Sequence, residues 1–345
     1  AGLLVLAACQ KNADTEVAPA PDVNGSVIEG SYLVKYRDES LPAARRAYGG
    51  DYRQEVKAMD TYTQSYLRRV GIDVKADAIT HTYVGSFAGF AARLSGEEAD
   101  RLRNRPEVEF VEEDRIWILD DDFDDRAGIQ AEVKAVSTAT QSTPWGITRV
   151  GGPADGTGKV AWVIDTGVDQ THPDLNVAQA RSAEFVTWGT GSNSINDGNG
   201  HGTHVAGTIG AKNDGNGVVG VAAGATIVGV KVLADNGSGS TSDIVKGCNY
   251  VANTGAPGDV ANLSLGGGAS TSLDNAVKGI AAKGIYTCVA AGNSARKASN
   301  YSPARANAPN LYTISAFGQT TNPSRPDPFA SFSNYGDRNT NSPID

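Results

Sequence analysis

The sequence predicts an α/β protein: a parallel sheet with helices on both faces, preceded by a smaller α+β unit. Three observations carry the prediction. From Ala139 onward, apolar runs of strand length alternate with segments of helical period. Upstream, residues 31–119 run strand, helix, two strands, helix, strand. The length, 345 residues with 41 glycines and otherwise ordinary composition, is enough for two globular cores.

Charge and cysteine content narrow the function classes. Net charge is -9, divided as -3 over residues 1–30, -5 over 31–138 and -1 over 139–345. No segment has the basic surplus of a nucleic-acid binder. No run of 18 apolar residues predicts a membrane-spanning helix. The three cysteines, Cys9, Cys248 and Cys288, make no disulfide framework in a chain this long. Cys248 stands in line with Ile244 and Val251, and Cys288 lies within the apolar run Ile285–Ala291. Two buried thiols are expected in preference to a Cys248–Cys288 bridge.

Residues 1–9, A-G-L-L-V-L-A-A-C, resemble the tail of a secretory signal. More narrowly, Leu6-Ala7-Ala8-Cys9 resembles a bacterial lipoprotein box. That implies a lipid on Cys9 and export from a bacterial cell, with the chain extracellular or held at the outer membrane before processing. The sequence begins without Met or a basic n-region, so it reads as cut at its N-terminus. Residues 10–30, polar with Pro19 and Pro21, read as a tether.

Residues 31–119 read as one unit. Tyr32–Tyr36 is a strand and Asp51–Val70 a helix, with Tyr52, Val56, Met59, Tyr66 and Leu67 near helical spacing. Ile79–Val84 and Phe87–Leu94 pair as strands turning near Gly85-Ser86. Ser95-Gly96-Glu97-Glu98 is a capping box that opens a short helix to about Asn104. After Pro106, Val108–Val111 is a strand. The order βαββαβ is a ferredoxin-like plan. Asp120-Asp121-Asp122-Phe123-Asp124-Asp125 then repels itself, and residues 120–138 read as an acidic linker. A calcium site in that run would lack a turn glycine.

Beyond Ala139 the strands Lys159–Asp165, Thr226–Leu233, Asp259–Leu265 and Ile285–Ala291 alternate with the helices Gly202–Ala211, Thr241–Asn253 and Leu273–Lys283. Such alternation argues for a parallel sheet covered on both faces. Functional groups of such sheets gather outside the carboxyl ends of the strands, and Asp165 and Asn293 stand just past two of them. Between these lies G-N-G-H-G-T-H-V-A-G-T-I-G, Gly198–Gly210, which sets His201 and His204 among five glycines. Val205 and Ile209 continue one apolar face from His201. The reading is a glycine loop that delivers a histidine onto the first turn of a core helix, where a base is held rigidly.

Taken singly, each residue has a plainer reading. Asp165 could cap a turn, His201 could be a core histidine, Asn293 could be a turn residue, and His201 with His204 is an incomplete metal set. Together, in V-I-D-T-G-V-D, H-G-T-H-V-A-G-T and V-A-A-G-N, the three resemble the subtilisin family of serine endopeptidases. A-T-Q-S-T-P-W-G-I near Ala139 and S-N-Y-S-P-A-R-A (Ser299–Ala306) are similar to its proteinase K-like branch. F-A-A-R-L-S-G-E-E-A-D-R-L-R and P-E-V-E-F-V-E-E-D (Phe90–Arg103, Pro106–Asp114) resemble the family's inhibitory propeptide. The resemblance covers roughly residues 31–335.

The resemblance implies roles. His201 is the general base, Asp165 orients its ring and stabilises the imidazolium, and Asn293 donates to the oxyanion. Leu265-Gly266-Gly267 and Ala290-Ala291-Gly292 wall the S1 pocket, while Gly237-Ser238-Gly239 pairs with an extended substrate as an added strand. A structural calcium ion would take side-chain oxygens from Gln141, Asp174 and Asp214, and carbonyls from Lys212, Asn216 and Val218. No organic cofactor is implied. Residues 31–119 become a propeptide that caps the active site and assists a slow, non-local folding step, with cleavage just before Ala139 freeing the catalytic domain, residues 139–345. Expected partners are protein or peptide substrates and the chain's own propeptide, and the expected state is a monomer. Ser299 stands where proteinase K-like relatives often carry a disulfide cysteine, so that staple is expected to be missing.

One part of the family pattern is absent: G-T-S-M-A, with the nucleophilic serine. Ser264, Ser302, Ser331 and Ser333 have no such context. The sequence therefore reads as a fragment cut before the nucleophile and expected to be inactive as given. The rival reading is an inactive homologue used as a binding or inhibitor module. A nucleotide-binding α/β domain is disfavoured, because neither G-x-G-x-x-G nor a P-loop lysine opens a helix after the first strand.

Overall fold

A computed structural model of the chain describes residues 24–41, 51–73, 75–119, 140–320 and 325–336. Cys9, the signal-like segment, the acidic run 120–138 and the expected cleavage point lie outside the described residues.

The first unit contains β1 (Val27–Tyr36), α1 (Tyr52–Arg69), β2 (Ile79–Tyr83), β3 (Gly89–Arg93), α2 (Gly96–Arg103) and β4 (Val108–Ile118). Its helices start where their caps lie: Asp51 accepts from the Gln54 N–H, and Ser95 and Glu98 close the capping box. The strands form an antiparallel sheet in the order β4-β1-β3-β2. Both faces are apolar, for different reasons. Val34, Phe90 and Ala92 pack with Met59, Tyr66, Leu67 and Leu102 of the unit's own helices. Leu33, Ala91 and Trp117 point the other way and join the core of the second unit.

The second unit contains β5 (Val160–Asp165), α3 (His201–Gly210), β6 (Thr226–Lys231), β7 (Ser238–Ser240), α4 (Thr241–Thr254), β8 (Val260–Leu263), α5 (Thr271–Ala282), β9 (Tyr286–Ala290) and β10 (Leu311–Ile314). The parallel order is β10-β9-β8-β5-β6, with the short strands Asn176–Val177 and Ala183–Glu184 beyond β6. On β5, Trp162 and Ile164 enter the core with Ile244 of α4 and Leu273 of α5, while Ala161 and Val163 pack with Ala206 of α3. Helices therefore cover both faces, as the alternation predicts. Central β5 has later strands on either side, so its carboxyl end is the switch point at which such sheets hold their sites.

Several expectations need correction. The segment assigned to a tether, 10–30, is structured at its end: Val27–Gly30 belong to β1, and the Gly25 N–H donates to the Ile116 carbonyl. The last strand of the first unit does not stop at Val111 but runs to Ile118. Its charged stretch hides it, because Glu112 and Asp114 are bonded across to Ser272 and Ser242 instead of to water. Strand β10 lies beyond the last strand the sequence predicts. Cys288 is only half-buried, since it shares a strand face with exposed Tyr286; Cys248 is buried, and the two form no disulfide.

Candidate active site

β5 ends in Asp165 and α3 begins at His201. Gly200 caps the helix with φ at 104°, a conformation that favours glycine. Gly202 has no room for a side chain: a Cβ there would lie 2.1 Å from the Gly167 carbonyl oxygen. These bare positions let the helix close onto the strand end. His201 Nδ1 then sits 2.7 Å from Asp165 Oδ1, and the same oxygen accepts the Thr166 N–H at 2.7 Å. Asp165 is fully buried. Burial pulls the imidazole's pKa down, but the hydrogen bond to Asp165, that carboxylate's charge and the charge of Asp197 outweigh it, so His201 titrates above its ordinary value.

His201 borders a cleft of about 650 Å³. Leu265, Gly266, Gly267, Ala290, Ala291, Gly292 and Asn293 all line it. Two loops distant in sequence thus meet at the histidine. Gly237, Ser238 and Gly239 are placed differently, as a strand site that is already filled. β7 pairs antiparallel with β4, with Ser238 opposite Ile118, Gly239 opposite Trp117 and Ser240 opposite Ile116. The Leu119 N–H donates to the Gly237 carbonyl at 3.1 Å, and Leu119 lines the cleft. The Trp117 ring lies against Gly267, and its Nε1–H donates to Thr241 Oγ1 at 2.8 Å.

A second contact holds the first unit on α4 and α5. Asn249, fully buried on α4, offers one side-chain oxygen to three backbone N–H groups of the β2–β3 turn: Val84 at 2.7 Å, Gly85 at 2.6 Å and Ser86 at 3.2 Å. Gly85 makes the approach possible, since a Cβ there would meet the Asn249 carbonyl oxygen at 2.2 Å. His81 Nε2 lies 2.8 Å from Asp243 Oδ1. Lys246 donates to the Thr82 carbonyl at 2.6 Å, and burial pushes its pKa down to about 8. Burial pushes the Asp114 carboxyl up, against the bonds it accepts from Ser242 and Ser31.

The residues proposed for a cation converge in part. Gln141 Nε2 lies 2.7 Å from the Lys212 carbonyl oxygen, 3.1 Å from that of Val218 and 3.3 Å from that of Asn216. Asp174 Oδ1 accepts the Lys212 N–H at 3.1 Å, and burial raises its carboxyl pKa. Asp214 turns instead to the Asn216 N–H at 3.0 Å. Among the described residues no three His, Cys, Asp or Glu side chains cluster around a metal position.

Sequence reasoning missed Asp197 and Asn249. Asp197 carries a weak signal, an aspartate ahead of the glycines that precede His201, which is a loop-capping pattern. Asn249 carries none, because its partners lie 163 to 165 residues away.

Comparison with known proteins gives consistent matches. A family model described as the subtilase family matches residues 156–344, and one described as peptidase inhibitor I9 matches residues 31–120. The subtilisin-like serine protease AsES of Sarocladium strictum is 37% identical, over 92% of this chain and 72% of its own length. The extracellular serine proteinase of Thermus sp. (strain Rt41A) is 35% identical, over 97% and 77%. Alkaline serine exoprotease A of Vibrio alginolyticus is 39% identical, over 73% of this chain and 44% of its own length. The crystal structure of a cold adapted subtilisin-like serine proteinase is 42% identical, covering 53% of this chain and 61% of its own, with a TM-score of 0.43.

Proposed function

The chain belongs to the subtilase family, serine endopeptidases carrying here an inhibitor-type propeptide, and on that premise we propose how its residues divide the work. His201 takes the proton of a serine nucleophile, Asp165 holds the Nδ1–H so that the other ring nitrogen is the acceptor, and Asn293 donates to the developing oxyanion. Leu265–Gly267 and Ala290–Gly292 receive the substrate side chain. Gly237–Gly239 receive its backbone as an added strand. The observation that carries this reading is the 2.7 Å Asp165–His201 bond at the edge of a cleft whose strand site is filled by the chain's own β4. The propeptide, proposed as residues 31–119, blocks the site by occupying the backbone positions of a substrate.

Residues 1–345 contain no serine in a G-T-S-x-A context. A purified polypeptide of these residues is therefore expected to hydrolyse casein no faster than buffer, while a product that includes the motif turns it over after processing near Ala139. Turnover by residues 1–345 alone would overturn the division of roles.

The same reading assigns a structural calcium ion to Gln141, Asp174, Asp214 and the carbonyls of Lys212, Asn216 and Val218. Three carbonyl oxygens converge on the Gln141 amide, whose nitrogen faces them here; with its oxygen turned to the same point the arrangement would suit a hard cation. The ion would tie the segment around Gln141 to the 212–218 loop. Chelation should lower Tm by roughly 10 °C if calcium is present well above its Kd. A Tm indifferent to chelator removes the ion from the reading.

Export is supported by the name of the extracellular Thermus relative. Among the described residues no helix is long and apolar enough to cross a membrane. We place the mature enzyme outside the cell as a monomer, with Cys9 as the lipid attachment point of the precursor and residues 120–138 as its linker. Mass spectrometry of the membrane fraction tests the lipid.

A further inference from the structure

We propose that Asp197 is a positioning residue, one carboxylate that fixes the Asp165–His201 pair by holding both of the elements that carry it. Its Oδ1 accepts the Thr166 hydroxyl at 2.9 Å, the Asn199 N–H at 3.1 Å and the Gly200 N–H at 2.9 Å. Its Oδ2 accepts the Thr203 N–H at 2.8 Å and the Thr203 hydroxyl at 2.6 Å. Thr166 follows Asp165 directly, and Gly200 and Thr203 bracket His201. Both hydroxyls pass the tie onward. Thr166 Oγ1 accepts the Gly202 N–H at 3.0 Å, and Thr203 Oγ1 accepts the Asp169 N–H at 2.9 Å. One side chain thus binds the residue after the acid, the residue before the base and the residue two after it.

Its charge acts in the same direction. An anion near the first turn of α3 is favoured by the helix dipole, and it supports the imidazolium that forms during proton transfer. The other charged or titratable groups around this loop are Asp165 at the end of β5, Asp169, His204 on α3, and Asp235. Fully buried Lys231 donates to Asp235 at 2.9 Å and to the Thr166 carbonyl at 2.5 Å. Lys231 is thus neutralised by Asp235, and Asp197 stands as a further negative charge beside the pair.

The inference rests on reading His201 as the base, yet its test needs no turnover. Asp197→Asn keeps the shape but sets an amide N–H₂ against groups that now donate to Oδ2. In the 1–345 chain, NMR should show two changes. The His201 titration midpoint should fall by about half to one pH unit, the size of a single screened charge. The far-downfield Nδ1–H resonance of the Asp165 bond should broaden or move upfield. A folded Asp197→Asn chain in which either signal is unchanged overturns the proposal. Should circular dichroism show that this variant does not fold, Thr166→Val cuts the same tie from the strand side. Loss of the downfield resonance then supports the proposal, and an unchanged resonance in folded Thr166→Val overturns it. Failure of the catalytic reading would appear separately, as a His201→Ala enzyme that still hydrolyses peptides.

Discussion

Asp165→Asn in a peptidase that carries the serine motif is expected to lower kcat by about ten-thousandfold while leaving KM within a few-fold. The carboxylate lies fully buried against Nδ1 at 2.7 Å, where it accepts the Nδ1–H and favours that tautomer. An asparagine amide turned toward Nδ1 would donate where it must accept, and the basic ring nitrogen would face the wrong way. The loss falls on kcat because the groups proposed to bind substrate, in the cleft and on β7, are untouched. The pH profile gives an independent check. In the native site His201 titrates above its ordinary value, so activity rises on an acid limb centred above about 6.5. Without the carboxylate the bond and the charge that raise this pKa are gone. Burial is then opposed only by the charge of Asp197, and the residual activity should show its limb at lower pH. A limb that does not move would mean that the pair does not form in the working enzyme.

The second large effect is expected at Asn249. Asn249→Ala removes the shared acceptor of three N–H groups, two of them buried and that of Ser86 half-buried. Leaving buried donors without partners costs about 1–3 kcal/mol each, so a total near ~3 kcal/mol is a conservative figure. That corresponds to roughly a hundredfold weaker seating of the propeptide on α4 and α5. Amide hydrogen exchange in the 1–345 chain would read it as about a hundredfold loss of protection at Val84, Gly85 and Ser86. Asn253→Ala, which breaks one bond from the same helix to Glu55, should cost under tenfold. Equal protection in both variants would mean that the turn is held by packing alone.

The fold was legible where one periodicity governed one element. Alternating apolar runs gave β5, β6, β8 and β9, and Ser95 with Glu98 marked the start of α2. The site was legible because His201 and Asp165 each lie in a short, nearly contiguous pattern whose glycines have local reasons. What stayed hidden depends on contacts distant in sequence. The second half of β4 looks too charged for a strand until Ser242 and Ser272 are seen to bond its carboxylates. The filling of Gly237–Gly239 by residues 117–119 joins segments more than a hundred positions apart. Asp197 has a visible pattern, but its ties to both partners of the pair exist only once α3 has docked on β5.

The pairing of β4 with β7 has a consequence for how the two halves of this chain can diverge. Amide-to-carbonyl contacts are indifferent to side-chain identity, so the backbone pairing by itself carries little information about what it blocks. Drift at Ile116 and Ile118 should be tolerated, and a foreign segment of equal length could take the same place. Recognition of self must then reside in side chains: in Trp117 on Gly267 and Thr241, in Glu112 and Asp114 on Ser272 and Ser242, and in the bare Gly85 turn with the asparagine that receives it. Those few positions would have to change together when the enzyme and its inhibitor part company in evolution.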